Sequence, residues 1–172
     1  EKAMLKWKAS AASVIMMDPF TGEILALANR PSHDPNDAGN YRDFEKKNRS
    51  ITDLYEPGST FKIVVGVAAL EEKITGPDTL YDVSQGGIEV GGKIIRDVHK
   101  HGVLTFKEVI QKSSNVGSIM IGMKLGKEKI YKYARLLGVG EKTRIDLPCE
   151  VSGLIHPPER WSATSIGAIP IG

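Results

Sequence analysis

The chain has 172 residues, 41% of them apolar and 26% charged, which suits one domain with a buried core or a piece of a larger one. Its formal charge of +2 is too small to point to nucleic acid. The basic clusters at Lys46, Lys47 and Arg49 and at Lys124, Lys127, Lys129 and Lys132 are interleaved with acids or polar residues and read as solvated faces. A single cysteine, Cys149, excludes an internal disulfide, and no run approaches the ~18 apolar residues of a membrane span. The opening residues, Glu1 to Lys8, do not form a signal peptide, so any export signal or anchor is expected outside this chain.

In chain order, two short apolar runs flank Asp-Pro-Phe-Thr-Gly-Glu, residues 18–23, and predict a β-hairpin over 13–28 with strands near 13–17 and 24–28. From Arg30 to Asp53 the sequence is polar and shows no sustained period, which predicts a long surface connection. A helix is expected from Ser59 to about Glu72. It is apolar nearly all round and is therefore expected at the centre of the fold, buried between layers. Paired glycines within 85–96 predict a small hairpin, and they match neither dinucleotide nor phosphate-loop spacing. A helical subdomain is expected over about 77–140. Thr105 and Glu108 form a capping box, and Phe106, Val109 and Ile110 begin an apolar stripe whose next position is Ser113. A second helix carries Val116, Ile119, Met120 and Met123, and a third carries Ile130, Tyr133, Ala134 and Leu137 before Gly138 closes it. The last residues, Ser165 to Gly172, are still apolar, which reads as a cut within a domain.

Ser59 and Lys62 stand one helical turn apart on one face, with β-carbons ~5–6 Å apart. A free hydroxyl is a poor nucleophile without a base, and an exposed lysine near pKa ~10.4 is protonated. Burial beside Ile63 to Leu70 and the positive end of the helix both disfavour the ammonium and make Lys62 basic. The same helix end points backbone amides at whatever Ser59 attacks, half of an oxyanion hole. Taken alone, the pair reads more readily as an N-cap serine and a snorkelling lysine. Ser113 and Asn115 change the balance. They bring a hydroxyl and an amide to a helix–helix corner, and Ser-x-x-Lys followed by Ser-x-Asn is a serine acyl-transfer signature that a Lys-Thr-Gly triad completes.

Further stretches carry a family resemblance: residues 18–28 (DPFTGEILALA), 48–62 (NRSITDLYEPGSTFK), 90–93 (VGGK), 101–105 (HGVLT), 113–115 (SSN), 145–148 (IDLP) and 157–162 (PPERWS). In this order they resemble the transpeptidase domain of class B penicillin-binding proteins over nearly the whole chain. The resemblance implies an α/β, β-lactamase-like fold: an antiparallel sheet flanked by helices plus a helical subdomain, of which this chain holds the N-terminal portion. It implies a D,D-transpeptidase that cross-links peptidoglycan stem peptides ending in D-Ala-D-Ala and is acylated by β-lactams. No cofactor and no metal are implied. By position, Ser59 would be the nucleophile, Lys62 its base, Ser113 the proton relay to the leaving amine, and Asn115 a donor to the substrate backbone. The site would face the outside of the bacterial cell membrane.

Two departures stand beside the match. The Lys-Thr-Gly strand is expected beyond Gly172, so the missing C-terminal part of the domain, in this chain or another, becomes an expected partner. Lys142-Thr143-Arg144 lacks the glycine and sits where the family has a surface turn. The family pattern also usually has glycine where Arg144 and Cys149 stand. Two rival readings remain: a class D β-lactamase, which shares Ser-Thr-Phe-Lys, and a non-catalytic β-lactam sensor or binding module. His99 and His101 lack further ligands at metal spacing and read as loop residues.

Overall fold

The computed structural model describes residues 1–172, and the chain's contacts part it into two units, residues 1–54 with 144–151 and residues 55–143 with 152–172. In the first unit a short helix, α1 (Lys2–Trp7), precedes the antiparallel strands β1 (Ala12–Met17) and β2 (Ile24–Arg30). Asp18 shapes the turn between them. Its Oδ1 accepts from the backbone N–H of Phe20 and Thr21, and its carbonyl accepts from Gly22, an Asx turn closed by a residue that tolerates positive φ. The pairing aligns Ile15 with Leu27 and shifts register at Met16 and Met17. Every residue of β1 is exposed, whereas Leu27, Asn29 and Arg30 of β2 are half-buried.

The polar stretch expected to be a plain connection instead contains a 3-10 turn at Pro35–Asn40 and two one-turn helices, α2 (Asp43–Lys46) and α3 (Arg49–Thr52). These are too short to leave a period and are started by side chains: Asp34 accepts from the Asn36 N–H, and Glu45 reaches back to the Arg42 N–H. α3 is fastened to the hairpin by Asn29, whose Oδ1 accepts from Ser13 Oγ and from the N–H and hydroxyl of Ser50. Arg144 and Cys149, in the returning segment, both adopt left-handed backbone, with φ of 64° and 67°. That conformation costs a non-glycine residue roughly 1–2 kcal/mol and explains why glycine is the ordinary occupant.

In the second unit a 3-10 turn at Gly58–Phe61 leads into α4 (Lys62–Glu71). Antiparallel pairs follow: β3 (Leu80–Asp82) with β6 (Val103–Thr105), and between them the hairpin of β4 (Gly87–Val90) and β5 (Lys93–Arg96). The helices α5 (Phe106–Gln111), α6 (Asn115–Leu125) and α7 (Lys127–Leu136) come next, and α8 (Ser165–Ala168) with a final 3-10 turn ends the chain. The capping box forms as its residues require: Glu108 N–H donates to Thr105 Oγ1, and Thr105 N–H donates to Glu108 Oε2.

The expectation of a wholly buried helix from Ser59 needs correcting twice. The first turn is 3-10, and Ile63, Val67 and Leu70 form an exposed stripe, Ile63 being 62% exposed. The opposite face, Val64, Val65, Ala68 and Ala69, is buried. The most enclosed helix is α6, where Ile119 and Ile121 are both fully buried and Met123 points outward. Two glycines allow this: a β-carbon at Gly117 would lie 2.7 Å from Val109 of α5, and one at Gly122 would lie 2.5 Å from Pro170. Small residues at these crossings let two segments approach closer than any side chain permits. No helix is long and apolar enough to cross a membrane.

Candidate active site

Lys62 is the first residue of α4 and is only 2% exposed. Ordinary lysines keep the ammonium in water; this one turns it into the corner where α5 ends and α6 begins. Its Nζ donates to the Ser113 carbonyl oxygen at 2.6 Å, to Ser113 Oγ at 2.9 Å and to Asn115 Oδ1 at 2.8 Å. Three acceptors match the three donors of an ammonium, yet none of them carries a charge. Desolvation therefore pushes the Lys62 pKa below its ordinary value of 10.5, and the negative charge of Asp97 only partly opposes this.

Ser113 is not on a buried stripe. α5 stops at Gln111, the Ser113 N–H caps it by donating to the Ile110 carbonyl, and Ser113 itself is exposed with φ of 54°. A helix C-terminus usually places glycine in this left-handed position. A serine there costs conformational energy, roughly 1–2 kcal/mol, and the hydroxyl it brings is the one facing Lys62. The buried serine is the next one: Ser114 caps α6 by accepting from the Gly117 N–H at 2.9 Å.

Asn115 opens α6 and is held on both sides. Its Nδ2 donates to the Arg96 carbonyl at 3.1 Å, and its backbone N–H donates to Asp97 Oδ1. Asp97 also accepts from the Val116 N–H at 3.1 Å and from Ser114 Oγ at 2.8 Å. Sequence reasoning missed Asp97 altogether. One signal could have found it: α6 has no acidic residue in its first turn, so its unpaired N-terminal amides call for an acceptor from elsewhere.

Ser59 lies in the 3-10 turn ahead of Lys62 and is exposed. The structure thus joins three of the four expected residues by direct hydrogen bonds. It leaves the fourth, Ser59, one turn above the lysine with its side chain open to solvent. No cluster of three or more His, Cys, Asp and Glu residues is placed to hold a metal ion.

The chain has counterparts among known proteins. Residues 12–172 match the model of the penicillin binding protein transpeptidase domain. The penicillin-binding protein PbpB of Mycolicibacterium smegmatis is 40% identical over 95% of this chain and 26% of its own length. The probable peptidoglycan D,D-transpeptidase PenA of Neisseria gonorrhoeae is 36% identical over 93% of this chain and 27% of its own. The chain therefore spans about a quarter of the length of these curated relatives. Among solved structures, penicillin binding protein 3 of Mycobacterium tuberculosis, complexed with aztreonam, superposes with a TM-score of 0.89 at 37% identity, over 99% of this chain and 39% of that one. A match over all but the first eleven residues, together with this agreement of fold, establishes that the chain belongs to the penicillin-binding protein transpeptidase domain family.

Proposed function

We propose that this chain carries the acylation machinery of a serine-type peptidoglycan D,D-transpeptidase, with Ser59 as nucleophile, Lys62 as general base, Ser113 as proton relay and Asn115 as substrate-binding residue. The observation that carries the reading is a lysine 2% exposed, hydrogen-bonded at Nζ to Ser113 and Asn115, one turn below an exposed serine at a helix start.

In the first step Ser59 Oγ attacks the carbonyl of the penultimate D-alanine, forming an ester as the peptide C–N bond breaks. Lys62 takes the hydroxyl proton. A neutral amine keeps two N–H groups for the Ser113 carbonyl and Asn115 Oδ1 and turns its lone pair to Ser59. Once protonated, Lys62 passes a proton through Ser113 Oγ at 2.9 Å to the leaving amine, and D-alanine departs. Backbone amides at the start of α4 face the developing oxyanion. In the second step an amine of a neighbouring stem peptide attacks the ester, restores Ser59 and completes the cross-link. β-Lactams enter the first step and stall before the second. Peptidoglycan lies outside the cytoplasmic membrane, and we place the site on that face. The substrate pocket is proposed to include a further wall carrying a Lys-Thr-Gly strand, supplied by the remainder of the domain.

The test is covalent labelling of the full-length protein with a fluorescent penicillin, followed by peptide mapping. Label on Ser59, lost in Ser59→Ala and slow to be released, is the expected result. Rapid release would make the protein a β-lactamase, labelling without turnover of a stem-peptide substrate would make it a sensor, and label on another serine would overturn the assignment.

A further inference from the structure

Asp97 follows β5 directly and meets the start of α6, a helix without an acidic residue in its own first turn. One carboxylate oxygen accepts from Ser114 Oγ at 2.8 Å; the other accepts from the backbone N–H of Asn115 and of Val116. The preceding residue, Arg96, holds the Asn115 side-chain nitrogen through its carbonyl. Together they fix the Asn115 amide so that its oxygen points to Lys62. Ser113, sandwiched between the end of α5 and this anchored tripeptide, has its left-handed backbone determined from both sides.

A capping carboxylate alone would modestly stabilise a helix end and do nothing more. This one grips three consecutive residues, and two of the oxygens it brings into line contact the buried lysine. We propose that Asp97 is a positioning residue for the Ser59–Lys62 chemistry, anchoring Ser114, Asn115 and Val116 so that Ser113 and Asn115 present their oxygens to Lys62. The proposal rests on the reading of Ser59 and Lys62 as nucleophile and base. Asp97 acts on Lys62 in a second way as well. Its negative charge is the one that appreciably favours the protonated amine, against the burial that disfavours it.

These two effects give Asp97→Asn a signature that a purely structural residue lacks. In the full-length protein, acylation by a penicillin is measured across pH for the parent and the variant, alongside thermal melting. Loosening the tripeptide should lower the acylation rate at the optimum by about 100-fold, the scale of a misplacement near 1 Å. Removing the charge should move the acid limb of the profile to lower pH, because Lys62 then loses its proton more easily. An acylation rate close to the parent's overturns the proposal. So does a loss that tracks the folded fraction while the acid limb stays in place. Should Asp97→Asn fail to melt cooperatively, Asp97→Glu decides: it keeps the charge but shifts the carboxylate by one methylene, so the limb should hold while the rate falls, and a parent-like rate overturns the proposal. A parent that carries no label on Ser59 removes the underlying reading and the proposal with it; a labelled parent beside an indifferent variant removes the proposal alone.

Discussion

The β1–β2 hairpin and the corner around Lys62 are both written in apolar sequence, and they put it to opposite use. In the hairpin Val14, Ile15, Met16, Met17 and Leu25 are all more than half exposed, and the strands pair only with each other. Around Lys62 the neighbours Phe61, Val64, Val65, Val109 and Val116 are buried, and they take an ammonium, Ser114 and Ser118 inside with them. Hydrophobicity marks where a chain can be covered; whether it is covered depends on a second layer. The proposed chemistry depends on the one site residue that is covered, Lys62, because a low dielectric changes what an amine does.

The largest effect expected from breaking the contrast is on reactivity. Lys62→Arg keeps a cation in the corner, but a guanidinium stays protonated at any working pH. Acylation of the full-length protein should fall by about 10²- to 10⁴-fold, the usual contribution of a positioned base. A parent-like rate for the arginine variant would make Lys62 an electrostatic residue and require another base.

Next in size is a matched pair of truncations. Ile121 is fully buried in α6, whereas Ile15 is 51% exposed on β1. Ile121→Ala should destabilise by ~2–5 kcal/mol, while Ile15→Thr should stay within ~0.5 kcal/mol, as read from denaturant midpoints of residues 1–172 diluted until sedimentation shows a monomer. Equal losses at the two sites would show that the hairpin is covered in solution. The exposed β1, with the exposed stripe of Ile63, Val67 and Leu70, also makes residues 1–172 on their own prone to associate, which sedimentation can measure.

The smallest effect concerns the backbone. Arg144 is exposed, with φ of 64°, so Arg144→Gly should stabilise the first unit by about 1 kcal/mol through relief of left-handed strain. A destabilised variant would mean that the arginine side chain contributes more than its backbone costs.

What could be read from the sequence follows the same division. Local devices were legible: the capping box at Thr105, the hairpin turn over residues 18–23, the small glycine hairpin, and the Ser-x-x-Lys and Ser-x-Asn pairs. Each is complete within a few residues. The exposed stripe of α4 was misread because an all-apolar helix looks buried whether or not a layer exists to cover it. Ser113 was placed on a buried stripe because the 3.6-residue period was carried past Gln111, where the helix stops. Asp97 was invisible because its three partners lie 17 to 19 residues away, and an aspartate after a glycine hairpin resembles any other turn residue. The strain at Arg144 and Cys149 was half legible: the family resemblance marks both as places where glycine is usual, but only the backbone angles give the reason.

The central claim is that burial among neutral acceptors lowers the Lys62 pKa and so makes its amine a readier base than an exposed lysine. Its stability consequence has a definite sign. Between the lowered folded value and 10.5 the unfolded chain holds a proton that the folded one has lost, so Lys62 makes stability rise with pH across that window and weighs against folding below it. The most direct measurement is the NMR titration of the Lys62 side chain, assigned by comparison with Lys62→Arg, in the full-length protein. A midpoint clearly below 10.5, moving further down in Asp97→Asn, is the expected result. A midpoint at or above 10.5 would contradict the claim and leave Lys62 a permanently charged strut between α4 and α6.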